Sequence, residues 1–201
     1  RYSMKLVLAT QNPKKLKEMN EILSHLGVEV VSEAELGVRI EVEETGETFT
    51  DNARLKATAV MQATGLPAVA DDSGLCVDAL NGGPGVYSAR FGGEGLDDKG
   101  RYTLLLEMLR GQTDRAAHFH TSIVCAFPNG DVLQDDGEVE GTIAFAPMGE
   151  NGFGYDPVFF VPDKRKTFAQ LSAEEKAEIS HRGKALRAFK ETLRNYLAEH
   201  Q

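Results

Sequence analysis

The chain has 201 residues, with 22 Lys and Arg against 31 Asp and Glu, a formal charge of −9. That length allows one large domain with a full hydrophobic core and no need of disulfides or structural metals. The acidic balance excludes a non-specific nucleic-acid binder, which needs a basic surface.

Cys76 and Cys125 are too far apart in sequence for a CxxC metal or redox site and read as buried, reduced thiols. No apolar run approaches the roughly 20 residues of a membrane span. Lys14, Lys15 and Lys17 follow a short apolar run where a signal peptide would place its charges first. The expectation is a soluble cytoplasmic protein, not bound to membranes. Arg1-Tyr2-Ser3, ahead of Met4, reads as a remnant foreign to the fold.

In chain order, Lys5–Ala9 is a compact apolar strand. Asn12 is a good N-cap, and Pro13 suits the first helical position. Leu16, Met19, Ile22, Leu23 and Leu26 recur at helical spacing up to Gly27, and Val28–Val31 is the next strand. This βαβ opening puts the Thr10–Lys15 loop at the carboxyl end of a strand, where α/β folds bind ligands. An acidic loop, Glu41–Glu47, leads to a helix over Thr50–Thr64 that stops at Gly65-Leu66-Pro67. Ala68–Ala70 reads as a buried strand running into Asp71-Asp72-Ser73-Gly74, and Asn81–Gly85 as a turn.

A helix follows over Asp98–Leu109. Apolar residues then alternate from Ala117 to Phe127, Asn129-Gly130 signals a hairpin, and Val139, Gly141 and Ile143 lie on the return strand. Val158–Val161 is a further strand. Ser172 and Glu175 have capping-box spacing, and Ala185, Leu186, Phe189, Leu193 and Leu197 form a helical stripe. The expected fold is α/β: a mixed, elongated central sheet flanked by helices, in two lobes with an active-site cleft between them.

Signatures of P-loop NTPases, dinucleotide sites, serine hydrolases and HExxH metalloenzymes are absent. Four polar clusters remain. Thr10-Gln11-Asn12-Pro13-Lys14-Lys15 offers free helix-start amides, a hydroxyl and ammonium groups that suit a phosphate, though a capped helix with solvated lysines has the same pattern. Glu41, Glu43, Glu44 and Glu47 are either a solvated loop or, with Asp71 and Asp72, a hard-cation site; adjacent buried aspartates need such compensation. Asn151–Pro157 carries Phe153 between two glycines, either as an exposed ring able to stack on a base or packed inward with Tyr155. Ser180–Gly183 sets His181 and Arg182 in a break between helices, as donors or as a solvated turn.

These segments resemble the inosine triphosphate pyrophosphatase family. The matching residues are T-x-N-x-x-K at Thr10, Asn12 and Lys15, EETG at Glu43–Gly46, and N-A-x-x-K-A at Asn52–Ala57. To these add ADDSGL at Ala70–Leu75, GGPGVYSARF at Gly82–Phe91, GFGYDPVF at Gly152–Phe159, and the stretch from Glu174 to Leu186. Gln11 departs from the family, where many members have glycine.

The resemblance implies a single nucleoside-triphosphate pyrophosphatase domain over residues 1–201. It implies hydrolysis of deaminated purine triphosphates (ITP, dITP, XTP) to monophosphate and pyrophosphate, cleansing the nucleotide pool, with Mg²⁺, by a homodimer with no nucleic-acid partner. By position, Asp72 is the implied general base, and Glu43 and Asp72 the metal ligands, with Glu44 and Asp71 as second candidates. The Thr10–Lys15 loop and Lys56 would bind the triphosphate. Ser73, Phe153, Gly154, Tyr155, Asp156, Lys176, His181 and Arg182 would complete the nucleotide site. The chemistry is coherent, since donors such as His181 and Arg182 suit a 6-oxo acceptor and not a 6-amino group. Two rivals are a related pyrophosphatase for pyrimidine or modified nucleotides, and a nucleotide sensor without turnover.

Overall fold

The apolar runs of the sequence become strands because helices cover both of their faces. The structure, a computed structural model, describes residues 4–200. In chain order it contains β1 (Met4–Leu8), α1 (Pro13–Leu23), β2 (Val28–Ser32), α2 (Phe49–Thr64), β3 (Ala68–Val77), β4 (Gly83–Pro84) and α3 (Asp98–Met108). Then follow β5 (Ala116–Ala126), β6 (Val132–Ile143), β7 (Phe159–Val161), β8 (Lys166–Thr167), α4 (Ala173–Ile179) and α5 (His181–Glu199). The strands lie in the order β2-β1-β3-β5-β6-β7-β8, with β4 on β3. The sheet is mixed as expected: β1 runs parallel to β2 and β3, while β4, β7 and β8 pair antiparallel.

The chain forms two compact units. The first contains the residues up to Asp72, Thr121–Asp136, and those from Ala185 on. Its strands show why an apolar run lacks alternation. Leu6 and Leu8 of β1, Val69 of β3, and Ile123, Cys125 and Phe127 pack with Met19 and Leu23 of α1 and with Phe189 and Leu193 of α5. The intervening side chains face the other way. Val7 and Ala68 meet Val60 of α2, and Ala70, Val124 and Ala126 meet Ala53 and Ala57. Small alanines on that face of α2 let the helix approach the sheet closely.

Caps hold these helices in register. The Asn12 side chain accepts from Lys14 N at 2.9 Å, with Pro13 at the first position, and the Thr48 hydroxyl accepts from Asp51 N at 3.0 Å. The Asn129-Gly130 turn closes the β5–β6 hairpin, where Phe127 N donates to Asp131 O at 2.9 Å. Tyr196 Oη of α5 donates to Asp131 Oδ2 at 2.7 Å.

The second unit contains Ser73–His120 and Gly137–Lys184. Leu75, Val77, Leu105, Leu109, Phe119, Phe159 and Phe168 form its core. Buried Arg115 fastens three carbonyls there, donating to Ile143 O at 2.7 Å, Ala144 O at 2.9 Å and Leu109 O at 3.1 Å.

Three expectations change. The strand at Ala68–Ala70 continues to Val77, so Asp71 and Asp72 lie inside β3 and not at its end. His181 and Arg182 occupy the first turn of α5; only Ser180 is non-helical, and its hydroxyl accepts from Gly183 N at 3.0 Å to start the new helix. Cys125 is buried and Cys76 only half-buried; both are free, and burial raises the Cys76 thiol to about 11. Residues 1–3, read from sequence as a remnant, lie outside the described residues. Among the described residues no helix is long and apolar enough to cross a membrane.

Phe189 is fully buried among strands β1, β2 and β5 and helix α1. Phe189→Ala is expected to lower unfolding free energy by about 3–5 kcal/mol, read from the urea midpoint. A loss well under about 1 kcal/mol would contradict this packing.

Candidate active site

Strand alternation sends the two aspartates of β3 to opposite faces, each to its own helix. Asp71 lies on the α1 side, where Lys15 Nζ is 3.2 Å from its Oδ1. Asp72 lies on the α2 side, where Asn52 Nδ2 donates to Oδ2 at 3.4 Å and Lys56 Nζ is 3.9 Å from Oδ1. Asn52 and Lys56 are four residues apart and so share one face of α2. Lys56 Nζ also donates to the Asp71 carbonyl at 2.6 Å and pairs with Glu44 Oε1 at 2.9 Å. One ammonium thus faces three acceptors from two segments.

Buried Asn52 ties the acidic loop to this cluster. Its Oδ1 accepts from Gly46 N at 2.8 Å while its Nδ2 serves Asp72. A side chain at Gly46 would press on Asp51 Cβ at 2.5 Å and Asn52 Oδ1 at 2.8 Å, so the loop requires glycine there. Asn52 was not among the site residues read from sequence, although its spacing to Lys56 is the signal that could have found it. Glu44, half-buried, is the glutamate that reaches Lys56; Glu43 is exposed, and its carbonyl accepts from Thr45 N at 3.1 Å.

Burial makes Asp72 a weak acid. Its side chain is 13% exposed, and its pKa rises from 3.8 to about 6. Desolvation is the largest cause; Lys56 and the Asn52 amide pull it down, and Glu44 and Asp71 push it up. A carboxylate that titrates near neutrality can take a proton from water and release it again.

Residues Thr10–Lys15 sit beside this cluster. Thr10 Oγ1 accepts from Asn12 N at 3.2 Å, and Lys14 is exposed. Gln11 Nε2 donates to Glu33 Oε2 at 2.8 Å. Ser73, exposed, follows Asp72 on the strand.

The second unit gathers the remaining candidates by itself. Phe153 is 74% exposed while Tyr155 is buried, its hydroxyl donating to Ser88 O at 2.6 Å. The two rings, left open between inward and outward by the sequence, therefore divide. Gly154 N donates to Asp98 Oδ2 at 2.8 Å, at the start of α3. Asp156, buried, accepts from Phe153 N at 3.2 Å and from Lys176 Nζ at 2.5 Å. Burial pushes its carboxyl up against the downward pull of Lys176. Gly152, at φ 74°, leaves no room for a side chain beside that carboxylate.

Lys176 Nζ lies 4.8 Å from the centre of the Phe153 ring, a cation–π contact against one face of the exposed phenyl. His181 stacks on Phe119 at 4.7 Å, and Phe119 in turn on Phe168 at 5.6 Å, which orients the imidazole at the head of α5. Arg182, half-buried, follows it in the same turn.

The first unit offers ammonium groups beside a carboxylate raised to about 6, the second an exposed ring, and comparison with known proteins decides the family. Residues 6–192 match the Ham1 family. The chain belongs to that family. It is 52% identical to the dITP/XTP pyrophosphatase of Thermus thermophilus over 194 residues, 96% of this chain and 93% of that protein. It is 47% identical to the dITP/XTP pyrophosphatase of Bacillus subtilis over 189 residues, 93% of this chain and 96% of that protein. The Staphylococcus aureus Ham1 protein superposes with a TM-score of 0.91 at 43% identity, over 96% of this chain and 99% of that one. The resemblance read from the motifs is thereby borne out, as is the mixed α/β sheet flanked by helices.

Because the folded state of this Ham1 protein binds the Asp72 proton more tightly than the unfolded chain, its stability falls as pH rises through the window from 3.8 to about 6. Asp72→Asn removes that ionisation. In metal-free protein the variant is expected to be more stable than the parent at pH 8, by about 1–3 kcal/mol, with the gain gone at pH 3.5. Thermal melts at the two pH values check it, and equal destabilisation at both would contradict it.

Proposed function

We propose that the chain hydrolyses deaminated purine nucleoside triphosphates (dITP, ITP and XTP) to the monophosphate and pyrophosphate, and so cleanses the nucleotide pool; its relatives named dITP/XTP pyrophosphatase support this. The observation that carries this reading is the half-buried Asp72, within reach of Lys56 and Asn52, its carboxyl pushed up to about 6. The whole chain acts as one pyrophosphatase domain.

Thr10, Asn12, Lys15 and Lys56 are assigned to the triphosphate; the amides at the start of α1, free by the sequence reading, are taken up by the Asn12 cap and by Thr10. The exposed Phe153 ring stacks on the base. Lys176 and Asp156 steady that ring, and His181 and Arg182 donate to the 6-oxo edge; adenine, with a 6-amino donor there, leaves them unpaired. Asp72 accepts a proton from water as its oxygen bonds to the α-phosphorus. The bond from that phosphorus to the bridging oxygen breaks, and its electron pair leaves with the pyrophosphate. Lys15 and Lys56 offset the charge that develops.

The reaction as proposed uses Mg²⁺. Among the described residues no three His, Cys, Asp or Glu are arranged to hold a metal alone. That donor chemistry still fits Mg²⁺, which takes one or two carboxylates and fills its shell with water and substrate phosphates. Asp72 and the Glu43–Glu44 pair would hold it. When bound, the ion supplies positive charge at the phosphate oxygens.

The protein is further assigned to the cytoplasm, in keeping with two free thiols. A homodimer is proposed, in which a second copy covers some of the exposed apolar side chains, such as Tyr87, Phe145 and Met148.

Pyrophosphate release should be Mg²⁺-dependent with dITP and XTP, and at least about 100-fold slower with ATP, whose 6-amino group offers no acceptor to His181 and Arg182. Asp72→Asn should reduce kcat by about 100-fold or more, and Arg182→Ala should shrink the dITP-to-ATP preference. Tight nucleotide binding without turnover by the parent protein would favour a sensor and overturn the reading.

A further inference from the structure

The departure at position 11 has a partner elsewhere in the same unit. Gln11 Nε2 donates to Glu33 Oε2 at 2.8 Å, although the two residues lie 22 apart in sequence. Glu33 is only 3% exposed, directly after β2. Its backbone is fixed, with its carbonyl accepting from Leu36 N at 3.1 Å and Val38 N at 3.0 Å. Its side chain reaches onward, and Ile40 N lies 3.5 Å from the same Oε2. Ile40 precedes the acidic loop that brings Glu44 to Lys56. Gln11, Glu33, Ile40, Glu44 and Lys56, with Thr10, line a cavity of about 300 Å³.

We infer that Glu33 and Gln11 are positioning residues: a buried carboxylate that latches the phosphate loop, through the Gln11 amide, to the segment leading into the acidic loop. This rests on the proposed triphosphate role of the loop. Two physical effects follow. A loop tied at its middle loses less freedom when nucleotide binds, so the cost of ordering it falls. The amide also gives its shorter bond to a carboxylate that would otherwise keep only the long contact from Ile40 N, facing a cavity shared with Thr10 and Lys56. Neither residue touches the reacting atoms, so the latch acts on KM and leaves kcat nearly unchanged.

The test joins kinetics to hydrogen exchange in the unliganded full chain. Gln11→Ala is expected to raise KM for dITP about three- to tenfold with kcat within about twofold. Glu33→Ala should do the same, and the double variant should be no worse than either alone. Glu33→Gln, which keeps an acceptor oxygen, should restore the parent KM. In Gln11→Ala, amides of residues 10–12 and of Ile40 should exchange faster. Unchanged exchange, or additive effects of the two alanine variants, overturns the latch. If the parent protein does not turn over dITP, the proposed function has failed; the exchange measurement still decides the latch by itself.

Discussion

Asp71 and Asp72 stand side by side in a strand whose neighbours on both faces are apolar, and the organisation of the first unit follows from that constraint. Two carboxylates at such a place are costly unless cations or donors meet them. The alternation of β3 directs one to α1 and the other to α2, and each helix answers with a lysine, Lys15 and Lys56. The alanine face of α2 brings Lys56 and Asn52 close enough to serve. Compensation remains incomplete at Asp72, where burial outweighs Lys56 and raises the carboxyl to about 6. A fully satisfied ion pair would be inert, and the shortfall is what suits this carboxylate to the proposed role of base.

The second unit solves a different problem, which is how to hold a phenyl ring in solvent without letting it collapse inward. The ring of Phe153 is fixed from behind. Asp156 takes its amide, Lys176 lies against its face, and Asp98 fixes the amide of Gly154. Tyr155 anchors the same turn in the core through Ser88. The Lys176–Asp156 pair is short and mostly buried, so its worth lies in orientation more than in net stability. His181 is oriented likewise by stacking on Phe119.

Much of this was legible in the sequence where the signal is local. The Asn12-Pro13 cap, the Asn129-Gly130 hairpin and the Ser172–Glu175 capping box each depend on a few adjacent residues, and each is found in place. The length of β3 was not legible, because Asp-Asp-Ser-Gly has little preference for strand and is held there by its partners on α1 and α2. The start of α5 at His181 was hidden for a similar reason: Gly183 weakens the helical pattern, and Ser180 overrides it by capping. The opposite fates of Phe153 and Tyr155 depend on Asp98 and Ser88, far away in sequence. The Gln11–Glu33 bond is equally non-local, and nothing in either segment alone announces it.

The central claim is that water activated at Asp72 attacks the α-phosphorus. Release of pyrophosphate alone does not distinguish that from attack on the β-phosphorus, since both yield the same two products. Hydrolysis of dITP in ¹⁸O-labelled water does. Mass spectrometry of the products should find the label in the nucleoside monophosphate and none in the pyrophosphate. Label in the pyrophosphate would place the attack one phosphorus further out and contradict the account of this site.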